Sequence, residues 1–150
     1  MNGLHILARR VLLSRLKSYP AVLALVPTAR VYGQTVPPEP AWPFIKLGPP
    51  LTLPRRATCL WGGDVSMLVS AFAKARRDGG GAIIETAEDC GGRIGAAIEA
   101  ALARYGVGAM HDGQPARCTV RLGDMQLLLD GAEVDAFHYS STATVRVAAG

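Results

Sequence analysis

The amino-acid sequence predicts a single α+β domain, in which a mostly antiparallel sheet of about four strands has helices packed on one face. Two stretches that alternate apolar and polar residues, Cys118–Asp130 and Ala136–Ala148, indicate a pair of half-buried antiparallel strands. A well-marked helix, Thr86–Tyr105, precedes them. The chain has 150 residues, 49 % of them apolar, which is enough for one hydrophobic core over residues 1–150.

The N-terminal region favours two helices. Residues 3–18 have apolar side chains at helical spacing, at Leu4, Leu7, Ala8, Val11 and Leu12. Ile6 and Leu13 lie on the opposite side of this predicted helix, and Arg15 interrupts its apolar stripe. Ile6 and Leu13 therefore either contact a second partner or reflect an irregular pattern. Pro20 predicts the start of a second, short helix that continues to Val26.

Prolines organise the next part of the chain. Val31–Gly48 contains four of them, so it is predicted to be extended and loop-like, with one short strand at Pro43–Leu47. Residues 49–57 are predicted to form a protruding hairpin loop whose tip is made basic by Arg55 and Arg56.

Alternation resumes after this loop. Cys59–Ala73 is predicted to be a strand, and Lys74–Gly81 a flexible basic turn. Residues 109–116 are predicted to be a loop before the final pair of strands. Between those strands, Asp130-Gly131 suits a turn that needs positive φ.

The helix Thr86–Tyr105 begins with a capping box formed by Thr86 and Asp89. Gly91 and Gly95 lie within it, although glycine costs about 1 kcal/mol in a helix. These glycines indicate either a weak first turn or a close approach to another backbone. The helix is predicted to lie across one face of the sheet, with a core made of Ile94, Ile98, Val120, Leu122, Val145 and Val147.

Charge is distributed unevenly along the chain. The formal net charge is +4, but residues 1–77 carry eleven basic and two acidic side chains, whereas residues 78–150 carry five and ten. The asymmetry is either an ordinary solvated surface or a bipolar subunit whose basic face meets an acidic face on a neighbour. Of the basic residues, arginine predominates, and its planar guanidinium suits interfaces.

No pattern of catalytic or metal-binding residues is present in the sequence. Cys59, Cys90 and Cys118 are odd in number and widely spaced, which predicts reduced, buried thiols. Neither CxxC nor HxxxH occurs, so we expect no metal site and no cofactor. His138 lies on the polar face of a predicted strand and is expected to be exposed. No apolar run approaches the roughly 20 residues of a membrane span, and basic residues in the N-terminal apolar run argue against a signal peptide.

The order of elements and three local motifs resemble the tail completion (tail terminator) proteins of long-tailed phages, prophages and gene transfer agents. The motifs are Leu23–Tyr32 (LALVPTARVY), the strand Pro43–Leu47 after a proline-rich loop, and the helical segment Thr86–Leu102. The stretch Val65–Phe72 (VSMLVSAF) departs from the aromatic-containing strand that the family often has.

The resemblance implies a structural subunit that assembles as a hexameric ring, and no enzyme. Such a ring caps the head-proximal end of the tail tube and provides the docking surface for the head. Its implied partners are other copies of the chain, the tail tube protein and the head completion or connector protein, with passing contact with DNA in the lumen. The implied location is the virion, after assembly in the cytoplasm of the bacterial host.

Six side chains are candidates for the partner interface: Arg55, Arg56, Arg9, Arg10, Ile6 and Leu13. The alternative function is a small basic nucleic-acid-binding accessory protein, which would use Arg55 and Arg56 together with Lys74, Arg76 and Arg77. A small enzyme whose site is assembled only by the fold is a third alternative.

Overall fold

The computed structural model describes residues 3–57, 60–133 and 135–150, and only the backbone of Arg56, Ala57 and Leu60. The helices are α1 (Leu4–Ser18), α2 (Pro20–Leu23) and α3 (Ala87–Leu102), with a 3-10 turn at Thr28–Arg30. The described strands are β1 (Val31–Tyr32), β2 (Phe44–Leu47), β3 (Leu51–Ala57), β4 (Leu60–Lys74), β5 (Arg76–Arg77), β6 (Ile83–Glu85), β7 (Gly106–His111), β8 (Gln114–Leu129) and β9 (Ala136–Ala149).

Seven strands form one sheet in the order β1-β2-β4-β9-β8-β7, with β3 alongside β4 on the same side as β2. All pairs are antiparallel except β1 with β2. The strands β5 and β6 form a separate two-stranded sheet. The α+β class is therefore confirmed, whereas the expected number of about four strands is too low. The additional strands are mostly short ones at the margins of the sheet, where hydrophobic periodicity is weakest.

Helices cover one face of the large sheet. The odd-numbered side chains from Val65 to Ala73 in β4 are buried beneath them. Even-numbered positions of β4 and β9 point to the other face, which we call the open face and which is mainly polar. Of the six predicted core residues, five are buried and Leu122 is half-buried. The five apolar residues predicted for the inner side of α1 are all buried.

The predicted cap of α3 is present, since Thr86 Oγ1 accepts a hydrogen bond from the backbone N–H of Asp89 at 3.1 Å. The two helical glycines permit close approach, but to side chains and not to another backbone. A Cβ atom at Gly95 would lie about 2.6 Å from Cε2 of Tyr139, and one at Gly91 would lie 3.2 Å from Cδ1 of Leu127. Tyr139 and Leu127 project from the sheet, so the two glycines allow α3 to pack closely against it.

The contacts of Arg15 explain why a charged residue lies in the apolar stripe of α1. Its Nε donates to the carbonyl oxygen of Ala101 at 2.8 Å, in the last turn of α3. The guanidinium carbon lies 4.6 Å from the ring centroid of Tyr19 and 4.3 Å from that of Tyr105. Arg15 therefore joins the two helices by satisfying a carbonyl that the helix itself leaves unpaired.

The segment predicted as a loop at residues 49–57 is largely the strand β3, which pairs with β4 from Leu51↔Ser66 to Ala57↔Leu60. Pro54 is compatible with this strand because β3 is at an edge of the sheet. The predicted basic tip, Arg55 and Arg56, is therefore part of a paired strand, opposite Gly62 and Trp61 of β4. Gly63 of β4 allows β3 to pair this closely, because a Cβ at position 63 would lie 2.9 Å from the carbonyl oxygen of Leu53.

Two other predicted loops are also ordered. Lys74–Gly81 contains β5 and a turn in which Asp78 Oδ1 accepts from the N–H groups of Gly80 and Ala82. Residues 109–116 contain the end of β7 and the start of β8, joined at Asp112-Gly113, where both φ values are positive. A two-residue turn of this kind is typical of a tight hairpin. Between β8 and β9, the positive φ is at Asp135 and not at Asp130-Gly131.

Candidate assembly interface

The last part of β8, residues 121–129, is an open strand edge that we call the distal edge. The neighbouring strand β7 is short and pairs only with residues 114–119. The backbone N–H of Val120 then donates to the carbonyl oxygen of Tyr105 at 2.7 Å. Beyond this point β8 has β9 on one side and, within the described chain, no strand on the other. Exposed edges with unpaired backbone groups are natural sites for association with another chain.

Four large apolar side chains are exposed along the distal edge: Met125, Leu127, Leu128 and Leu129. The sequence pattern places Leu127 and Leu129 on the apolar side of a half-buried strand, but Leu129 is 69 % exposed and Leu127 is 37 % exposed. Leu127 lies close to Gly91 and Gly92 of helix α3, whereas Leu129 is largely exposed.

The distal edge exposes apolar groups on both faces of the sheet. Leu127 is opposite Tyr139, on the helix-covered face, and Leu128 is opposite His138, on the open face. A register shift between Leu122 and Met125 marks where the strand leaves its regular pairing.

Acidic residues surround these leucines. Asp124, Asp130, Glu133 and Asp135 lie on the distal edge or in the turn that follows it, and Arg121 is the single basic residue of 121–130. A pocket of about 270 Å³ brings Leu129 and Asp135 together with Glu88, from the first turn of α3. Two acidic groups that are distant in the sequence thus line one pocket beside Leu129.

The opposite side of the sheet is basic. A cleft of about 520 Å³ lies between α1, the segment after β1 and the start of β3, and is lined by His5, Ile6, Arg9, Gly33, Gln34, Thr35 and Pro50. Both β1 and β3 lie on the side of β4 that faces away from β8, so this cleft and the distal edge occupy opposite margins of the sheet. We call the margin formed by the cleft and β3 the basic margin.

The structure brings some of the predicted interface residues together and separates others. Ile6 is 41 % exposed and shares the cleft with Arg9, and the adjacent Arg10 is also exposed. Leu13, by contrast, is half-buried against the core. Ile6 and Arg9 therefore line one cleft, whereas Leu13 packs against the core.

Strand β3 adds both apolar and basic groups to the basic margin. Leu51 and Leu53 are exposed by more than 65 % and lie on the open face. Arg55 Nη2 donates to Asp64 Oδ2 at 2.7 Å, and Arg146 Nε donates to Asp64 Oδ1 at 3.2 Å. The side chain of Arg56 lies outside the described part of the chain.

Asp64 is thus a strand residue that holds two arginines. Burial raises the pKa of Asp64, but the hydrogen bonds from Arg55 and Arg146 outweigh this and keep it below its ordinary value. Arg55 is still half-exposed in this arrangement, so its guanidinium is held in place without being enclosed.

The cations proposed for nucleic-acid binding are engaged within the chain. Lys74 pairs with Glu133 at 3.4 Å, and Arg76 pairs with Glu85 at 3.5 Å. Arg77 donates to the carbonyl oxygen of Gly81. Intramolecular pairing of this kind reduces the positive charge available to phosphates.

His138 is half-buried, which corrects the expectation that it is exposed. Its ring stacks on Phe72 with the centroids 4.3 Å apart, and Phe72 stacks in turn on Phe44. Burial lowers the pKa of His138. No group of three His, Cys, Asp or Glu side chains in the described residues is arranged to hold a metal ion. Cys90 and Cys118 are free and buried as predicted, while Cys59 lies outside the described residues.

Comparison with known proteins identifies the family. The family model described as tail completion protein gp17 matches residues 10–127 of the chain. The chain belongs to this family. The match confirms the resemblance derived from the sequence, and the family consists of structural proteins of the virion.

A solved structure supports the same fold. A chain of the virion of a native gene transfer agent particle is similar over 91 % of each chain, with a TM-score of 0.55 and 17 % sequence identity. Eight chains of solved structures match in all, whereas no curated protein matches the sequence. No helix in the described residues is long and apolar enough to cross a membrane.

In a structural protein of this family, the surfaces that contact other proteins are the candidate functional sites. The sequence predicts residues of the basic margin but not the distal edge. The distal edge was missed because Leu127 and Leu129 fit an alternating core pattern. The signal that was available is the leucine triplet 127–129, because three consecutive apolar residues in a strand place at least one on the outward face.

Proposed function

We propose that this tail completion protein forms a ring of six copies on the head-proximal end of the phage or gene-transfer-agent tail tube. The ring ends tube growth and offers the surface on which the head completion or connector protein docks. DNA passes through its lumen. The chain assembles in the cytoplasm of the bacterial host and remains in the particle.

The family match over residues 10–127 carries this proposal. The surface of the chain supports it in one respect. A ring needs two different and complementary patches on each subunit, since each contact is head-to-tail. The distal edge and the basic margin are two such patches, with opposite charge and on opposite sides of the sheet.

Deletion of the gene from the phage or particle genome, followed by electron microscopy of the lysate, tests the function. We expect tails of irregular and excessive length together with unattached, filled heads. Complementation in trans with the wild-type chain should restore tails of uniform length. Uniform, head-attached tails in the deletion strain would refute the proposal.

A variant with Arg55→Ser and Arg56→Ser tests whether β3 takes part in docking. Because the Arg55–Asp64 pair is partly exposed, its loss should cost no more than about 1 kcal/mol of stability. A folded double variant that still forms rings but no longer joins tails to heads would place the docking contact at β3. A double variant that supports normal joining would exclude these two arginines from docking.

A further inference from the structure

We propose that neighbouring copies of this chain associate through the two opposite margins of the sheet, so that the distal edge of one copy seats against the basic margin of the next. The inference rests on the proposed function, which requires a head-to-tail contact, and it names the surfaces that make that contact. The partner of the distal edge is therefore a second copy of the chain.

The first argument is geometric. The distal edge comprises nine residues of β8, 121–129, which have β9 on one side and, in the described part of the chain, no strand on the other. The basic margin lies on the far side of β4, where β3 is an edge strand and the cleft of Ile6 and Arg9 opens. Two surfaces on opposite margins of one sheet cannot meet within a chain, but they meet readily between successive chains.

The second argument is the match in apolar groups. Leu128 is exposed on the open face of the distal edge, whereas Met125 and Leu129 are exposed on its helix-covered face. The basic margin has the same division, with Leu51 and Leu53 on the open face and Ile6 on the helix side. A single edge-to-edge contact would cover apolar side chains on both faces at once.

The third argument is charge. The distal edge and its turn carry Asp124, Asp130 and Asp135, and Glu88 joins them at the pocket beside Leu129, whereas the charge of Glu133 is partly offset by Lys74. The basic margin carries Arg9 and Arg10 on α1, and the charge of Arg55 on β3 is partly offset by Asp64. Complementary charge of this kind favours contact between unlike surfaces and disfavours the contact of either margin with its own copy.

Two variants, each with one margin blocked, test the inference. Leu128→Lys with Leu129→Lys blocks the distal edge, and Ile6→Asp with Leu53→Asp blocks the basic margin. All four residues are exposed by more than 40 %, so both variants should fold, as measured by circular dichroism and thermal unfolding. Met110→Lys, on the exposed edge strand β7, is the matched control because Met110 is 64 % exposed and belongs to neither surface.

Mass measurement by analytical ultracentrifugation, at a concentration where the wild-type chain forms rings, gives the decisive result. Each blocked variant alone should be monomeric, and the control should form rings like the wild type. An equimolar mixture of the two blocked variants should stop at a heterodimer, because only one intact distal edge and one intact basic margin remain per pair.

Other outcomes overturn the inference. Rings formed by either blocked variant would show that assembly uses another surface, with the proposed function left intact. Loss of assembly in one variant only would indicate contact between like surfaces.

If a double variant fails to fold, a charge variant replaces it, with the same expected masses. Asp124→Lys with Glu133→Lys then blocks the distal edge, and Arg9→Glu with Arg10→Glu blocks the basic margin. A wild-type chain that associates through these margins but leaves tail length uncontrolled in cells would refute the proposed function alone.

Discussion

The ring of Tyr139 lies directly on Gly95, so closely that no side chain fits at position 95 without displacing the ring. Tyr139 is 4 % exposed, and its position on β9 makes it a fixed point between α3 and the sheet. The glycine therefore sets how near the helix approaches the strand.

A Cβ at position 95 should cost about 1–3 kcal/mol, the usual cost of overpacking. Alanine also gains about 1 kcal/mol in a helix, so Gly95→Ala should destabilise the protein by up to about 2 kcal/mol in all. Gly92→Ala is the matched control, since a Cβ there meets only Leu127, at 3.9 Å. It should stabilise the fold by up to about 1 kcal/mol. Urea denaturation measures both, and equal effects of the two substitutions would contradict the packing argument.

Substitution of Arg15 should destabilise the fold even when the positive charge is kept. Arg15→Lys keeps the charge but loses both the planar stacking between Tyr19 and Tyr105 and the directed hydrogen bond to Ala101. We expect a loss of about 1–2 kcal/mol in the free energy of unfolding.

Arg10→Lys is the control for this substitution, because Arg10 is exposed on the same helix. Its effect should stay within about 0.5 kcal/mol, as is usual at the surface. A difference between the two variants that is too small to measure by chemical denaturation would show that Arg15 does not hold α1 to α3.

The part of the fold that was predictable from sequence is the part with strong local periodicity. The helix α3, the pair β8–β9 and five of the six core residues follow from spacings of 3.6 and 2. Strand β3 lacked such a pattern because Pro54 and Arg55 resemble a loop. Its extended form depends on pairing with β4, where Gly63 allows the approach.

The assembly surface was only half predictable for a related reason. Charge and apolar outliers on α1 pointed to the basic margin, since helical spacing shows which side chains face outward. The distal edge required knowledge of where β7 stops and how far α3 extends over β8. Both depend on tertiary structure, so the local pattern shows that at least one of the leucines 127–129 faces outward but not that all three are exposed.

Stability should fall in alkaline solution because of Tyr139. Burial, with a further contribution from Glu99, raises the pKa of Tyr139 to about 12. An unfolded tyrosine ionises near pH 10. The folded state therefore favours the protonated phenol, and the stability this gives is fully present below about pH 10 and is lost as pH rises towards about 12.

Urea midpoints at pH 8 and pH 11.5 test this. The wild type should lose about 2 kcal/mol between the two pH values through this residue, at about 1.4 kcal/mol per pKa unit. Tyr139→Phe removes that component and leaves the titration of lysines and other tyrosines in common. Wild-type and variant curves that fall in parallel would contradict the assignment.

Charge reversal tests whether electrostatics contributes to assembly. Arg9→Glu with Arg10→Glu should disrupt the ring. A matching reversal of Glu133 and Asp135 to Lys in the same chain should partly restore it. Glu88 is a further candidate for the acidic side, since it shares a pocket with Asp135. No recovery in any of the combined variants would mean that these groups do not face each other across the contact.

A salt titration of oligomer mass separates the electrostatic contribution from the apolar one. Pairs of exposed charges are screened beyond about 8 Å at physiological ionic strength and beyond about 3 Å at 1 M salt. If charge dominates, the ring should dissociate as NaCl approaches about 1 M. Contacts through Ile6, Leu53 and Leu129 should instead be strengthened by sulfate, which is excluded from protein surfaces. We expect the ring to weaken in NaCl because the charges of the two margins are screened. We expect it to recover in ammonium sulfate because all three apolar side chains are at least 41 % exposed in the monomer and would be buried in the contact. A ring that is unchanged at about 1 M NaCl would rule out the electrostatic contribution and leave the leucines of the two margins as its basis.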